Sequence, residues 1–312
     1  MMMMSLLAAG RLAAKYAVEC RRSVQTSSTL TSHPFILSHP SVVDRRRDDD
    51  SSASPTRGRI VCVTSGKGGV GKTTAAASFS MGLAQLGHKT CVVDFDIGLR
   101  NLDIHLGCER RVIFDFVNVL LGECQLHQAL LKDKREPNLS LLAASQTRDK
   151  DSLTVEGVEI ILAELCRNFD YVVLDSPAGI ESGAKHSMYF CDDAILVVNP
   201  ELSSCRDADK MVGFIASKSR RAELGQHECL PVQQSLLVNR YDPARAEAEE
   251  ALSIVDIEEL LGLPVVGVIP GEFKLDVFCH RVVITRRSPR IRFEVWLPPL
   301  ITSNSASDES AI

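Results

Sequence analysis

No apolar run in the 312 residues approaches the roughly 20 needed to span a bilayer, so the chain is expected to be soluble or peripheral to a membrane. None of its ten cysteines, at positions 20, 62, 91, 108, 124, 166, 191, 205, 229 and 279, belongs to a C-x-x-C pair. Scattered singly through apolar segments, they read as reduced thiols rather than disulfide partners or metal ligands. An excess of positive charge is also missing. A net charge of −5 offers no basic face of the kind that DNA binding prefers. What remains is ample aliphatic residue for a core, in a chain long enough for one large α/β domain with tails.

The chain organises around Gly66-Lys67-Gly68-Gly69-Val70-Gly71-Lys72-Thr73. Before it stands the β-branched run Ile60-Val61-Cys62-Val63-Thr64, and after it the helix-forming Thr74-Ala75-Ala76-Ala77-Ser78-Phe79. Strand, glycine loop and helix start are the three parts of a phosphate-binding loop. Its glycines let the backbone N–H groups curl inward as an anion nest feeding a helix N-terminus, where unpaired donors and the dipole both favour phosphate. Lys72 is expected to reach the β- and γ-phosphates and Thr73 to offer its hydroxyl to Mg²⁺. Residues Gly66 to Thr74 are therefore the candidate nucleotide contacts.

Strands and helices then alternate. Strands are expected at Thr90–Asp94, Leu139–Ala143, Tyr171–Asp175, Ala194–Val198, Ser235–Val238 and Val265–Ile269. Helices are expected at Lys72–Leu86, Val112–Leu121, Val155–Asn168, Asp207–Ser219 and Val255–Leu261. The series predicts a doubly wound, mostly parallel sheet with ligands at the C-terminal strand ends. Asp94 and Asp96 close the second strand and Asp175 closes a later one. An acid at a strand end followed by a Pro/Gly turn, as in Asp175-Ser176-Pro177-Ala178-Gly179, is how such folds present a carboxylate to Mg²⁺.

Lys67 places a second cation inside the loop, and with it the stretch resembles the deviant Walker A ATPases. Further runs narrow the likeness to the MinD branch of that family: Asp94-Phe95-Asp96-Ile97-Gly98-Leu99-Arg100-Asn101-Leu102-Asp103, Ala144-Ser145-Gln146-Thr147-Arg148-Asp149-Lys150-Asp151, and Asn199-Pro200-Glu201. The likeness covers about residues 59–270. It implies an ATPase, slow unless dimeric and stimulated by a partner, that positions a division site through MinC-like and MinE-like regulators and, indirectly, the FtsZ ring. It also implies that Lys67 crosses to the partner's phosphates, that Asp96 positions the hydrolytic water, and that Asp94 and Asp175 hold the water shell of the metal. Asn101, Glu109 and Asp207 would lie in segments that respond to nucleotide and meet partners, and the adenine near Asn239, Arg240 and Pro270.

Both ends differ from this domain. Residues 1–55 have Arg11, Lys15, Arg21 and Arg22 against the lone acid Glu19 before residue 40, then abundant Ser and Thr and a charged linker. That is the composition of an organelle transit peptide, for plastid or mitochondrion, with the mature protein expected in stroma or matrix. After Pro270 the resemblance stops. Residues 271–312 carry prolines, β-branched residues and Arg281, Arg286, Arg287, Arg290 and Arg292, and are expected to form an atypical, low-order tail. The family's membrane-binding amphipathic helix has no counterpart there, so lipid attachment is expected to be weak. The competing readings are a ParA-like segregation ATPase, an iron–sulfur carrier, and a regulatory form that binds nucleotide without reaching the membrane.

Overall fold

A computed structural model describes residues 57–148, 153–180, 182–225, 229–271, 283–285 and 292–294. The expected transit segment and most of the tail lie outside these residues. Strands β1 (Arg59–Thr64), β2 (Thr90–Asp94), β4 (Leu139–Leu142), β5 (Tyr171–Asp175), β6 (Asp193–Val198), β7 (Gln233–Tyr241) and β8 (Val265–Pro270) run parallel. Their order is β4-β2-β5-β1-β6-β7-β8, with the two-residue β3 (Leu131–Lys132) antiparallel on the outer side of β4. Beyond β8, β10 (Arg292–Glu294) adds a parallel strand and β9 (Val283–Thr285) an antiparallel one, both within the stretch read from sequence as low-order. The doubly wound, mostly parallel α/β fold is therefore present. β1 lies mid-sheet between β5 and β6, so the loop that leaves it opens at the point where the winding reverses, where such folds bind ligands.

Alternate residues of each strand feed two cores. Ile60, Cys62, Cys91, Val93, Val172 and Leu174 face one layer. Val61, Val63, Val92 and Val173 face the other, against Ala76, Phe79 and Leu83 of helix α1 (Lys72–Gln85). Burial on both faces is why these strands read as continuous apolar runs. The first layer is covered by α5 (Val155–Asn168), which buries Val158, Ile161, Leu162 and Leu165 at helical spacing and is capped by the Thr154 hydroxyl accepting from Gly157 N–H at 3.2 Å. It is also covered by α7 (Leu202–Lys218) and α10 (Ile254–Leu261). Of the eight cysteines in the described residues, six are buried and Cys124 and Cys229 are half-exposed. Among the described residues no helix is long and apolar enough to cross a membrane.

Some expected boundaries move. The helix expected over residues 112–121 is α3 (Phe116–Leu120), because the Asp115 carboxylate accepts from Val117 and Asn118 N–H at 2.9 and 3.0 Å and so fixes the start. The helix expected from Asp207 begins at Leu202 instead. Four short helices go beyond the expected set: α2 (Leu102–His105), α4 (Leu126–Ala129), α8 (Arg220–Leu224) and α9 (Pro243–Glu247). So does α6 (Ser182–Tyr189).

Candidate functional site

The loop after β1 is held from three directions. The Ser65 hydroxyl donates to Lys67 C=O at 2.8 Å inside the loop. On one flank Gly66 lies directly on the backbone of Asp207 in α7, where a Cβ would meet the Asp207 carbonyl at 2.2 Å. On the other flank the Asn239 amide, at the end of β7, donates to Val70 C=O at 2.7 Å. Gly71 has φ +97° and caps α1, a conformation that favours glycine, and its missing Cβ leaves room for that amide. The result is a tight backbone ring around the N-terminus of α1, a geometry that suits an anion.

Lys72 is the first residue of α1 and is buried at 8% exposure. Burial lowers its pKa, while the charges of Asp175 and Asp96 pull it back up. Thr73 donates its hydroxyl to Asp175. Asp94 and Asp175 face each other as register partners across β2 and β5, at 1% and 2% exposure. Burial raises the pKa of Asp94 to about 7 against the bonds it accepts from Asp96 N–H at 2.9 Å and Leu102 N–H at 3.3 Å. Burial, and then the Asp94 charge, push Asp175 well above the usual carboxylate range. Asp175 Oδ1 is buried and has no hydrogen-bond partner. A desolvated carboxylate oxygen beside a hydroxyl and a second carboxylate is a hard-oxygen donor set of the kind Mg²⁺ takes, so these residues fit that ion.

Asp96 does not extend β2. The strand ends at Asp94, and Asp96 begins a turn in which Leu99 and Arg100 N–H both donate to its carbonyl, at 3.2 and 3.1 Å. Gly98, at φ +98°, donates to Ser145 C=O at 2.7 Å, and Arg100, at φ +41°, pairs with the buried Asp103 at 2.7 Å. The loop carrying Asp96 is thus fixed by its neighbours rather than by a sheet ladder. Lys67 points away from the ring, with its ammonium 3.5 Å from Glu201 and 3.4 Å from Ser203 on an exposed edge. Neither partner was expected. Asn101 and Glu109 are exposed, and Asp207 pairs with Lys210 at 3.0 Å. Asn239 is buried at 8% and Arg240 exposed at φ +57°. Among the described residues no three His, Cys, Asp or Glu side chains gather as a metal group.

A central β1, a glycine ring closing on a helix N-terminus, and acids delivered beside it by β2 and β5 define a P-loop nucleotide-binding protein. Residues 58–224 match the family model described as an AAA domain. The chain is 57% identical over 215 residues to septum site-determining protein MinD of Escherichia coli K12, covering 69% of this chain and 78% of that one. Its fold is similar to that of MinD in the MinC:MinD cell division protein complex of Aquifex aeolicus, with 40% identity and TM-score 0.60 over 70% of this chain and 83% of that one. It is also similar to MinD of Pyrococcus horikoshii complexed with Mg-ADP, with 28% identity and TM-score 0.57 over 69% of this chain and 82% of that one. The chain belongs to the MinD family of septum site-determining ATPases.

Proposed function

We propose that the chain hydrolyses ATP with Mg²⁺ as a homodimer, and through that cycle recruits a MinC-like inhibitor that sets where a division septum forms. The observation that carries this reading is the buried Asp175 oxygen without a partner, beside Thr73 and Asp94 and next to the glycine ring. The Mg-ADP complex of the Pyrococcus relative and the MinC:MinD complex of the Aquifex relative support the ligand and the partner respectively.

The roles follow from chemistry. Loop N–H groups from Gly66 to Lys72 receive the phosphate oxygens, and Lys72 neutralises charge between the β- and γ-positions. Thr73, Asp94 and Asp175 would hold Mg²⁺ and its water shell. When bound, the ion offsets negative charge on the β- and γ-oxygens. Asp96 orients the attacking water. Lys67 leaves its exposed pair with Glu201 and reaches the phosphates of the partner subunit. Breaking such a surface pair costs only about 0–1 kcal/mol, so closure of the dimer easily outweighs it. Hydrolysis is slow in a single copy because the water and the second lysine are positioned only when two copies meet. A MinE-like activator then accelerates it and the FtsZ ring responds downstream.

The Arg- and Ser-rich composition of residues 1–55 supports delivery to a plastid or mitochondrion, with the folded domain in stroma or matrix. The test of the dimer is sedimentation velocity of the full chain with Mg-ATP and with Mg-ADP, using Asp96→Ala to prevent turnover. A doubling of mass with ATP alone is expected. A single-copy species under both conditions would overturn the reading.

A further inference from the structure

We infer that Asn239 is a positioning residue for the phosphates: its side-chain amide fixes the orientation of the Val70–Gly71 peptide and so holds the loop in its anion-binding form. This inference rests on the nucleotide-site reading above, and it gives Asn239 a role other than touching the adenine. The amide nitrogen is 2.7 Å from the carbonyl oxygen of Val70, a contact between residues 169 apart in sequence. Val70 is 1% exposed and Asn239 8%, so water cannot take over that bond. A trans peptide points its N–H opposite to its C=O. With the Val70 carbonyl anchored to Asn239, the Gly71 N–H is turned away from Asn239, toward the opposite side of the loop. If the carbonyl were free, this peptide could rotate and present an oxygen where a donor is required.

Three further features support the assignment. Asn239 is itself held, because its Oδ1 accepts from Arg240 N–H at 2.9 Å, which sets which end of the amide faces the loop. Arg240 is in the left-handed region at φ +57°, and the β7–β8 register is irregular between Val238 and Tyr241, so the strand is bent where Asn239 leaves it. Finally, a Cβ on Gly71 would be 2.4 Å from the Asn239 amide nitrogen, so loop and brace are packed without slack. An asparagine that served only a purine base would not need to be in contact with the loop.

The test separates base from phosphate. Full-length wild type, Asn239→Ala, Asn239→Asp and Lys72→Ala are titrated with Mg-ATP and with magnesium tripolyphosphate, which has the phosphates without the base, and thermal unfolding of each variant verifies folding. Losing a buried bond of this kind is expected to weaken both ligands by the same factor, roughly ten- to a hundredfold, in Asn239→Ala. Asn239→Asp, which sets a carboxylate against the Val70 carbonyl, should be weaker still. Weakened ATP with unchanged tripolyphosphate would overturn the inference and leave a base contact. Unchanged tripolyphosphate binding in Lys72→Ala would instead overturn the site reading itself. Should the Asn239 variants fail to fold, Gly71→Ala, which displaces the amide from the loop side, should weaken both ligands equally. ATP binding at wild-type strength in that variant would overturn the inference.

Discussion

A carboxylate stripped of water is held at an energetic cost, and Asp94 and Asp175 are nearly fully buried and face each other. Because burial raises both folded-state pKa values above the unfolded 3.8, the native state binds more protons than the unfolded state between that value and about 7. The contribution of this pair to stability must then fall as pH rises through this window. In EDTA, without nucleotide, the unfolding temperature of the protein is expected to decrease from pH 5 to pH 8. Asp175→Asn should flatten that slope and raise the midpoint at pH 8 while removing Mg²⁺-dependent ATPase activity. A slope unchanged in the variant would show that the pair does not carry this charge penalty. Lys67→Ala should keep ATP binding within a fewfold of wild type yet lose turnover even at concentrations that force dimerisation, as steady-state phosphate release would show. Turnover at the wild-type rate would remove Lys67 from any role across the interface. Lys72, Thr73 and Asp175 are candidates from sequence through local spacing alone, and the structure brings the three together. The Lys67–Glu201 and Asn239–Val70 contacts could not be picked out that way, since they join residues 134 and 169 apart.

The elements repeat this division. β5 and α5 match their expected ranges because both present clean patterns, a run buried on both faces and apolar positions at helical spacing. α6 has no such pattern: its Ser-Gly-Ala-Lys start reads as a turn, and Gly183 is there for space, since a Cβ would lie 2.8 Å from Phe95 C=O. Likewise Ser203 and Ser204 conceal the first turn of α7, although the Ser204 hydroxyl accepts from Asn199 N–H at 3.0 Å and so ties that turn to the end of β6. The joint between the loop and α7 gives an element-scale prediction. Gly66→Ala must push the loop off the Asp207 backbone, because the added Cβ would lie 2.2 Å from it, at a cost of about 1–3 kcal/mol or more, and should lower the melting temperature and abolish nucleotide binding. Gly68→Ala meets nothing within 4 Å and should leave the melting temperature unchanged, as differential scanning calorimetry of the two variants would show.

At the scale of the molecule, the two ends differ in composition from the ATPase domain between them, and each carries a prediction. Co-sedimentation with anionic liposomes is expected to show little ATP-dependent pelleting, because residues 271–312 lack the regular apolar periodicity of an amphipathic helix. Strong pelleting with ATP and not ADP would mean that the arginine-bearing tail attaches the protein instead. A fluorescent protein fused behind residues 1–55 should be imported and shortened by isolated plastids or mitochondria, and import by one organelle alone would assign the address.

The distribution of thiols offers a way to time the motions of the folded chain. Cys124 and Cys229 stand where an alkylating reagent can reach them, while Cys62, Cys91 and Cys191 are fully sealed in and beside the central strands. Among the described residues, mass spectrometry should therefore record Cys124 and Cys229 labelled quickly, and Cys62, Cys91 and Cys191 only at the pace at which the sheet comes apart. Because Cys62 stands on the strand that leads into the glycine ring, ATP should slow its modification more than that of the accessible pair, and the unaltered chain would then report its own ligand.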